Sequence, residues 1–94
     1  MVIAVCQVDL HLPTAQSLKD KRGQLKSLLA RLPREFNLAT AEVDYHDLWQ
    51  SANIALVTVS TDATHARNTL EAAMRWIETH RPDLEIVAWA IELR

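Results

Sequence analysis

The sequence predicts an α+β two-layer sandwich of ferredoxin-like βαββαβ order. Its antiparallel four-stranded sheet has the order 4-1-3-2 and carries two helices on one face. Three observations predict it. Four stretches are rich in β-branched or alternating apolar residues. Two stretches between them carry apolar residues at helical spacing. Their order along the chain is strand, helix, strand, strand, helix, strand, the split βαβ pattern. Right-handed crossovers then place both helices on one side and leave the other face open.

The first strand is read over residues 2–12, VIAVCQVDLHL, where Val2, Ala4, Cys6, Val8, Leu10 and Leu12 share a face against Gln7, Asp9 and His11. Pro13 closes it. From Ser17 the period becomes helical, with Leu18, Leu25, Leu28, Leu29 and Leu32 in one stripe. Ser17 and Asp20 form a near capping box, and Pro33 is expected to stop the helix. A second strand is expected from Phe36 to Tyr45, a polar turn at His46–Asp47, and a third strand from Asn53 to Ser60. Asp62 or Thr61 caps a second helix with the stripe Ala66, Leu70, Ala73, Met74 and Ile77. Its outer face carries Arg67, Glu71 and Arg75 as an i,i+4 ladder. Pro82–Asp83 turns the chain into a last strand, Leu84–Leu93.

Length and composition bound the function. Ninety-four residues with 49% apolar content give one domain over 1–94 with a single core. The one glycine, Gly23, rules out G-x-G-x-x-G, the P-loop and the KH-type GXXG loop, which need several glycines where backbone meets phosphate. One cysteine rules out a disulfide framework and a Cys-based zinc site. The N-terminal apolar run lacks a basic leader and reads as a strand. No stretch reaches the roughly 18 apolar residues of a membrane span. A cytoplasmic protein with no cofactor, no metal and no evident small-molecule substrate is expected.

The net charge of −2 conceals strong polarity. Between Ser17 and Arg34 stand six basic residues, Lys19, Lys21, Arg22, Lys26, Arg31 and Arg34, and one acid, Asp20, a net +5 against −7 elsewhere. Lys19, Lys21 and Arg22 occupy the first turns of the helix, where the macrodipole favours acids by roughly 0.3–1 kcal/mol each. On a helical wheel Lys19, Arg22 and Lys26 form an outward stripe beside Gly23, Ser27 and Ala30. A small-residue surface edged with cations lets a phosphate backbone approach closely. Solvated basic faces are also ordinary on helices. Lys21 projects to the apolar side and is expected to run over the sheet rim toward an internal acid. Lys19, Lys21, Arg22, Lys26 and Arg31 are the candidate nucleic-acid-binding residues.

The acidic segment AEVDYHDLWQ, Ala41–Gln50, places Glu42, Asp44, His46 and Asp47 either toward Lys21 or with Asp9 and His11. Those types suit metal or acid/base chemistry. Strand 3 separates the two groups, however, by about 10 Å at the usual strand spacing, which argues against an enzyme. His65 and His80 read as surface residues. The central strands lack the aromatics on which RRM-type sheets stack bases. Trp49, Trp76 and Trp89 read as packing residues. The last strand is apolar on both faces, which suggests cover by a second copy.

These residues resemble the YlxP-like bacterial family, a small domain-of-unknown-function family, over nearly the whole chain. The resemblance is carried by LHLP at Leu10–Pro13, SLKDKR at Ser17–Arg22, KSLLARL at Lys26–Leu32, FN at Phe36–Asn37 and AEVDYHDLWQ at Ala41–Gln50. Helix 2 and the last strand match only as a pattern, and Gly23 replaces a larger, often basic residue. The resemblance implies a ferredoxin-like, cytoplasmic protein. The family's genes tend to lie near transcription and translation factors, which implies a ribosome- or RNA-associated role, and no catalytic residues come with it. The leading expectation is therefore a non-enzymatic protein that binds RNA or a ribosomal subunit through helix 1. The alternative is a homodimeric protein-interaction module using the open sheet face and the acidic edge, with Glu42, Asp44, Asp47, Trp49 and Trp89 as its contact residues.

Overall fold

A computed structural model describes residues 1–94. It contains β1 (Val2–His11), α1 (Leu18–Glu35), β2 (Ala39–Asp44), β3 (Ser51–Ser60), α2 (Ala63–His80) and β4 (Glu85–Leu93). The strands form one antiparallel sheet in the order β2-β3-β1-β4, the βαββαβ sandwich expected. No helix is long and apolar enough to cross a membrane.

Alternation along β1 and β3 decides which face is covered. Ala4, Cys6, Val8 and Leu10 of β1 and Ala52, Ile54 and Leu56 of β3 are buried beneath the helices. They meet Leu25, Leu28 and Leu32 from α1 and Ala66, Leu70, Ala73, Met74 and Ile77 from α2 in one core of 18 residues. The helix stripes are those the period of 3.6 requires. Ser17 caps α1, its Oγ accepting from the Asp20 amide at 3.0 Å, and the Asp20 carboxylate accepts from the Gln16 amide at 3.1 Å. Asp62 caps α2 by accepting from the Thr64 amide at 3.1 Å. The Arg67, Glu71 and Arg75 ladder closes no ion pair.

Pro33 does not end α1, which continues to Glu35. Proline has no amide to give the carbonyl four residues back. That carbonyl, on Leu29, accepts instead from the Thr40 hydroxyl of β2 at 2.9 Å. A tertiary contact thus replaces the missing helical bond. β2 consequently starts at Ala39 rather than at Phe36, whose amide still bonds to the Leu32 carbonyl at 2.9 Å.

Two register shifts interrupt the sheet. Glu42 pairs with Ile54 but Asp44 with Asn53, leaving Val43 as an extra residue. Leu10 pairs with Ile86 but Asp9 with Ala88, leaving Val87 extra. A bulge moves every later side chain to the opposite face. Ile86 and Ile91 therefore both pack on the core although they stand five positions apart, an odd spacing that would otherwise put them on opposite faces. The second shift also redraws the faces of β4 expected from simple alternation.

Candidate nucleic-acid interface

α1 exposes its basic residues on two flanks. At about 100° per residue, Lys19, Arg22 and Lys26 share one side of the line through Gly23 and Ala30. All three are exposed and none makes an ion pair. A Cβ built on Gly23 would meet nothing within 4 Å. The glycine therefore serves no packing need, and the surface above it is open.

The other flank faces α2. Ser27, Ala30, Arg31 and Arg34 line a cleft of about 450 Å³ with Trp76, His80 and Arg81. The Trp76 and His80 rings stack at 4.7 Å with 16° between planes. The Arg31 guanidinium lies 5.8 Å from the Trp76 ring centre, within cation–π range. Arg31 also pairs with Glu35 at 2.8 Å, one turn along the helix. Arg81 is held by Asp83 at 2.8 Å and donates to the Gln24 carbonyl at 3.1 Å. That guanidinium, hydrogen-bonded to Asp83, holds the Asp83 carboxyl below its ordinary range. Arg34 has no carboxylate partner. The lining contains no acid.

Lys21 does not belong to either flank. It is 1% exposed, donates to the Tyr45 carbonyl and meets Glu42 Oε2 at 3.0 Å. The aligned hydrogen bond goes to Tyr45, so Glu42 Oε2 answers the ammonium as an ion-pair partner without an aligned bond of its own. Lys21 is thus removed from the candidate phosphate contacts because its charge is spent inside the protein. Its internal acid is Glu42, which for the same reason is not an outward contact of the acidic edge.

The bulge at Val43 explains where the other acids go. Glu42 turns toward the helices, whereas Asp44 lines a hollow on the open face with Gln7, Asp9, Tyr45, Asn53, Ala88 and Ala90. Trp89, paired with Val8, shares the helix-side face with Ile91, which corrects its expected place on the open face. There Asn53 donates to Asp9 at 2.6 Å and accepts from Gln7 at 3.0 Å. His11 is drawn away by the Gln50 carbonyl, 3.0 Å from its Nδ1. No three His, Cys, Asp or Glu side chains converge as a metal site. Cys6 is buried and its thiol is pushed up to about 11 by desolvation, so it remains protonated and is no nucleophile at neutral pH.

The end of β2 and the β2–β3 connection leave Val43, Tyr45, Leu48 and Trp49 exposed beside Asp44 and Asp47. Trp49 is 49% and Trp89 43% exposed. Of the three tryptophans only Trp76 packs on the core, which corrects the expectation that all three do so. Sequence reasoning missed the cleft. Its signal was present as Ser27, Arg31 and Arg34 at four- and three-residue spacing, opposite Trp76 and His80 one turn apart. The helix pairing that joins them is tertiary.

Fold and site together define a small ferredoxin-like α+β protein whose helix layer is cationic and whose sheet face is mixed acidic and apolar. A model of the family described as "Protein of unknown function (DUF503)" matches residues 3–91, and the chain belongs to that family. The "Uncharacterized protein YlxP" of Bacillus subtilis (strain 168) is 29% identical to it over 84 residues, covering 89% of this chain and 90% of that protein.

Proposed function

We propose that the chain is a cytoplasmic, non-enzymatic protein that binds the phosphate backbone of structured RNA, free or within a ribosomal subunit, through the outer face of α1. The observation that carries this reading is the set Lys19, Arg22 and Lys26. These cations are exposed on one flank of one helix with no carboxylate to neutralise them. Lys19 and Arg22 stand near the positive end of the helix dipole, which a stability argument alone disfavours. A bound polyanion would reverse that sign. Gly23 keeps the neighbouring surface low, and Arg34 offers a further free cation at the cleft. The central strands offer no aromatic side chain for base stacking, so the contact is read as phosphate-directed and weakly sequence-specific.

Anisotropy of a labelled RNA hairpin, titrated at several salt concentrations, tests this. Phosphate contacts release counterions, and log affinity should fall linearly with log salt, by about 0.9 per neutralised phosphate on the value for duplex DNA. The combined change Lys19→Glu, Arg22→Glu and Lys26→Glu should abolish binding. Unchanged affinity would overturn the proposal.

A second reading rests on the apolar residues exposed between β2 and β3. Leu48 and Trp49, with Asp44 and Asp47 nearby, form a patch suited to a protein partner with a basic rim around an apolar pocket. Trp49→Ala would weaken that interaction while leaving RNA binding intact.

A further inference from the structure

The free edge of β4 is the least protected feature of the molecule. β4 has β1 on one side and nothing on the other. The Arg94 amide and carbonyl both bond to Ile3, at 2.7 and 3.0 Å. In an antiparallel ladder the backbone groups of alternate residues point the same way. Glu92, Ala90 and Ala88 therefore also direct their amides and carbonyls at β1. Those of Trp89, Ile91 and Leu93 point outward.

Natural proteins blunt such edges with charge, proline, short length or a bulge. The other edge, β2, has six residues, a bulge at Val43 and acids on either side of it. β4 runs for nine residues, and its centre, Val87–Ile91, is VAWAI, with no charge, proline or glycine. Val87 is 66% exposed, Trp89 43% and Leu93 40%. The single bulge lies at Val87, ahead of the three outward-facing residues.

We propose that this edge pairs antiparallel with β4 of a second copy, joining two four-stranded sheets into one continuous sheet. Self-complementarity of the strand identifies the occupant. A two-fold axis at Ala90 sets Trp89 opposite Ile91 of the second copy, and both residues present outward backbone groups. A small alanine side chain then lies on the axis. Ala88 faces Glu92 of the second copy, and Glu85 falls beyond the paired stretch, so no two carboxylates oppose each other. A slide that centres the pairing on Glu92 would set two carboxylates face to face. Pairing through a two-fold axis also consumes the edge on both copies. Only the short, bulged, charged β2 edges remain free, and growth stops at two.

Sedimentation equilibrium across the micromolar range, with amide hydrogen exchange read residue by residue, tests this on the full chain. The expected result is a dimer in which the Trp89, Ile91 and Leu93 amides exchange slowly and lose that protection on dilution. The Ala90 amide, bonded within the chain, stays protected throughout. Trp89→Lys and Val87→Lys, both at exposed side chains, should each shift the population to monomer with the circular dichroism unchanged. A monomer at every concentration would overturn the proposal. So would a dimer in which those three amides exchange freely, since its interface would lie elsewhere.

Discussion

Lys21 Nζ and Glu42 Oε2 meet at 3.0 Å across the α1–β2 contact, with the lysine sealed from solvent and the glutamate side chain 23% exposed. The same ammonium holds the Tyr45 carbonyl, and Tyr45 adopts φ 62°, a left-handed conformation that non-glycine residues seldom take. The Leu48 amide bonds to that carbonyl as well, at 3.0 Å. One buried cation thus ties the first helix to the acidic turn.

Lys21→Met should cost about 2–4 kcal/mol in chemical denaturation, because it strands the Glu42 carboxylate and removes one of the two donors to the Tyr45 carbonyl. Adding Glu42→Leu should recover part of the loss. A double-mutant cycle with no coupling would show that the pair is incidental.

The Thr40 hydroxyl stands in for the amide that Pro33 lacks. Thr40→Val should destabilise by about 1–2 kcal/mol, the cost of an unpaired buried carbonyl. In that background Pro33→Ala restores a helical donor, so it should help more there than in the parent protein. Equal effects in both would argue against the exchange of partners.

Gly23 meets open space and lies inside a helix. Gly23→Ala should therefore raise stability by about 1 kcal/mol, read as a higher midpoint in urea. RNA affinity should hold within about twofold, since a methyl group leaves the cations in place.

Cys6 should resist Ellman's reagent in the native state and react fully once unfolded. Its thiol titrates near 11 when folded but near about 8.5 in an unfolded chain. Rising pH through that interval ionises the unfolded state first, so stability should fall there. Cys6→Ala should remove that alkaline component.

Asp83 carries the opposite dependence. Arg81 lowers its folded pKa, so its contribution is present above the unfolded value of about 3.9 and is lost as pH falls toward the folded value. Asp83→Asn should flatten the acid limb of the stability curve, while the parent retains it.

Much of the architecture was legible in the chain. Alternation in β1 and β3 and the leucine stripe of α1 specify which faces are buried, because period 2 and period 3.6 are local geometric facts. The charge of α1 was equally legible. Its use was not: Lys21 differs from Lys19 and Arg22 only in the direction it projects, and the partner that holds it sits on another strand. Glu42 and Asp44, two residues apart, look like neighbours on one face until a bulge at Val43 sends them to opposite sides.

The sequence by itself determined the order of elements, the core stripes, the cap at Ser17, and a helix whose positive charge is concentrated. Those follow from local periodicity and side-chain chemistry. Only the tertiary structure decided that α1 passes through Pro33, that Lys21 is internal, that Arg31 and Arg34 share a cleft with Trp76, and that β4 keeps a bare edge. Each depends on a partner distant in the chain or on its absence, and no local pattern encodes where such a partner will lie.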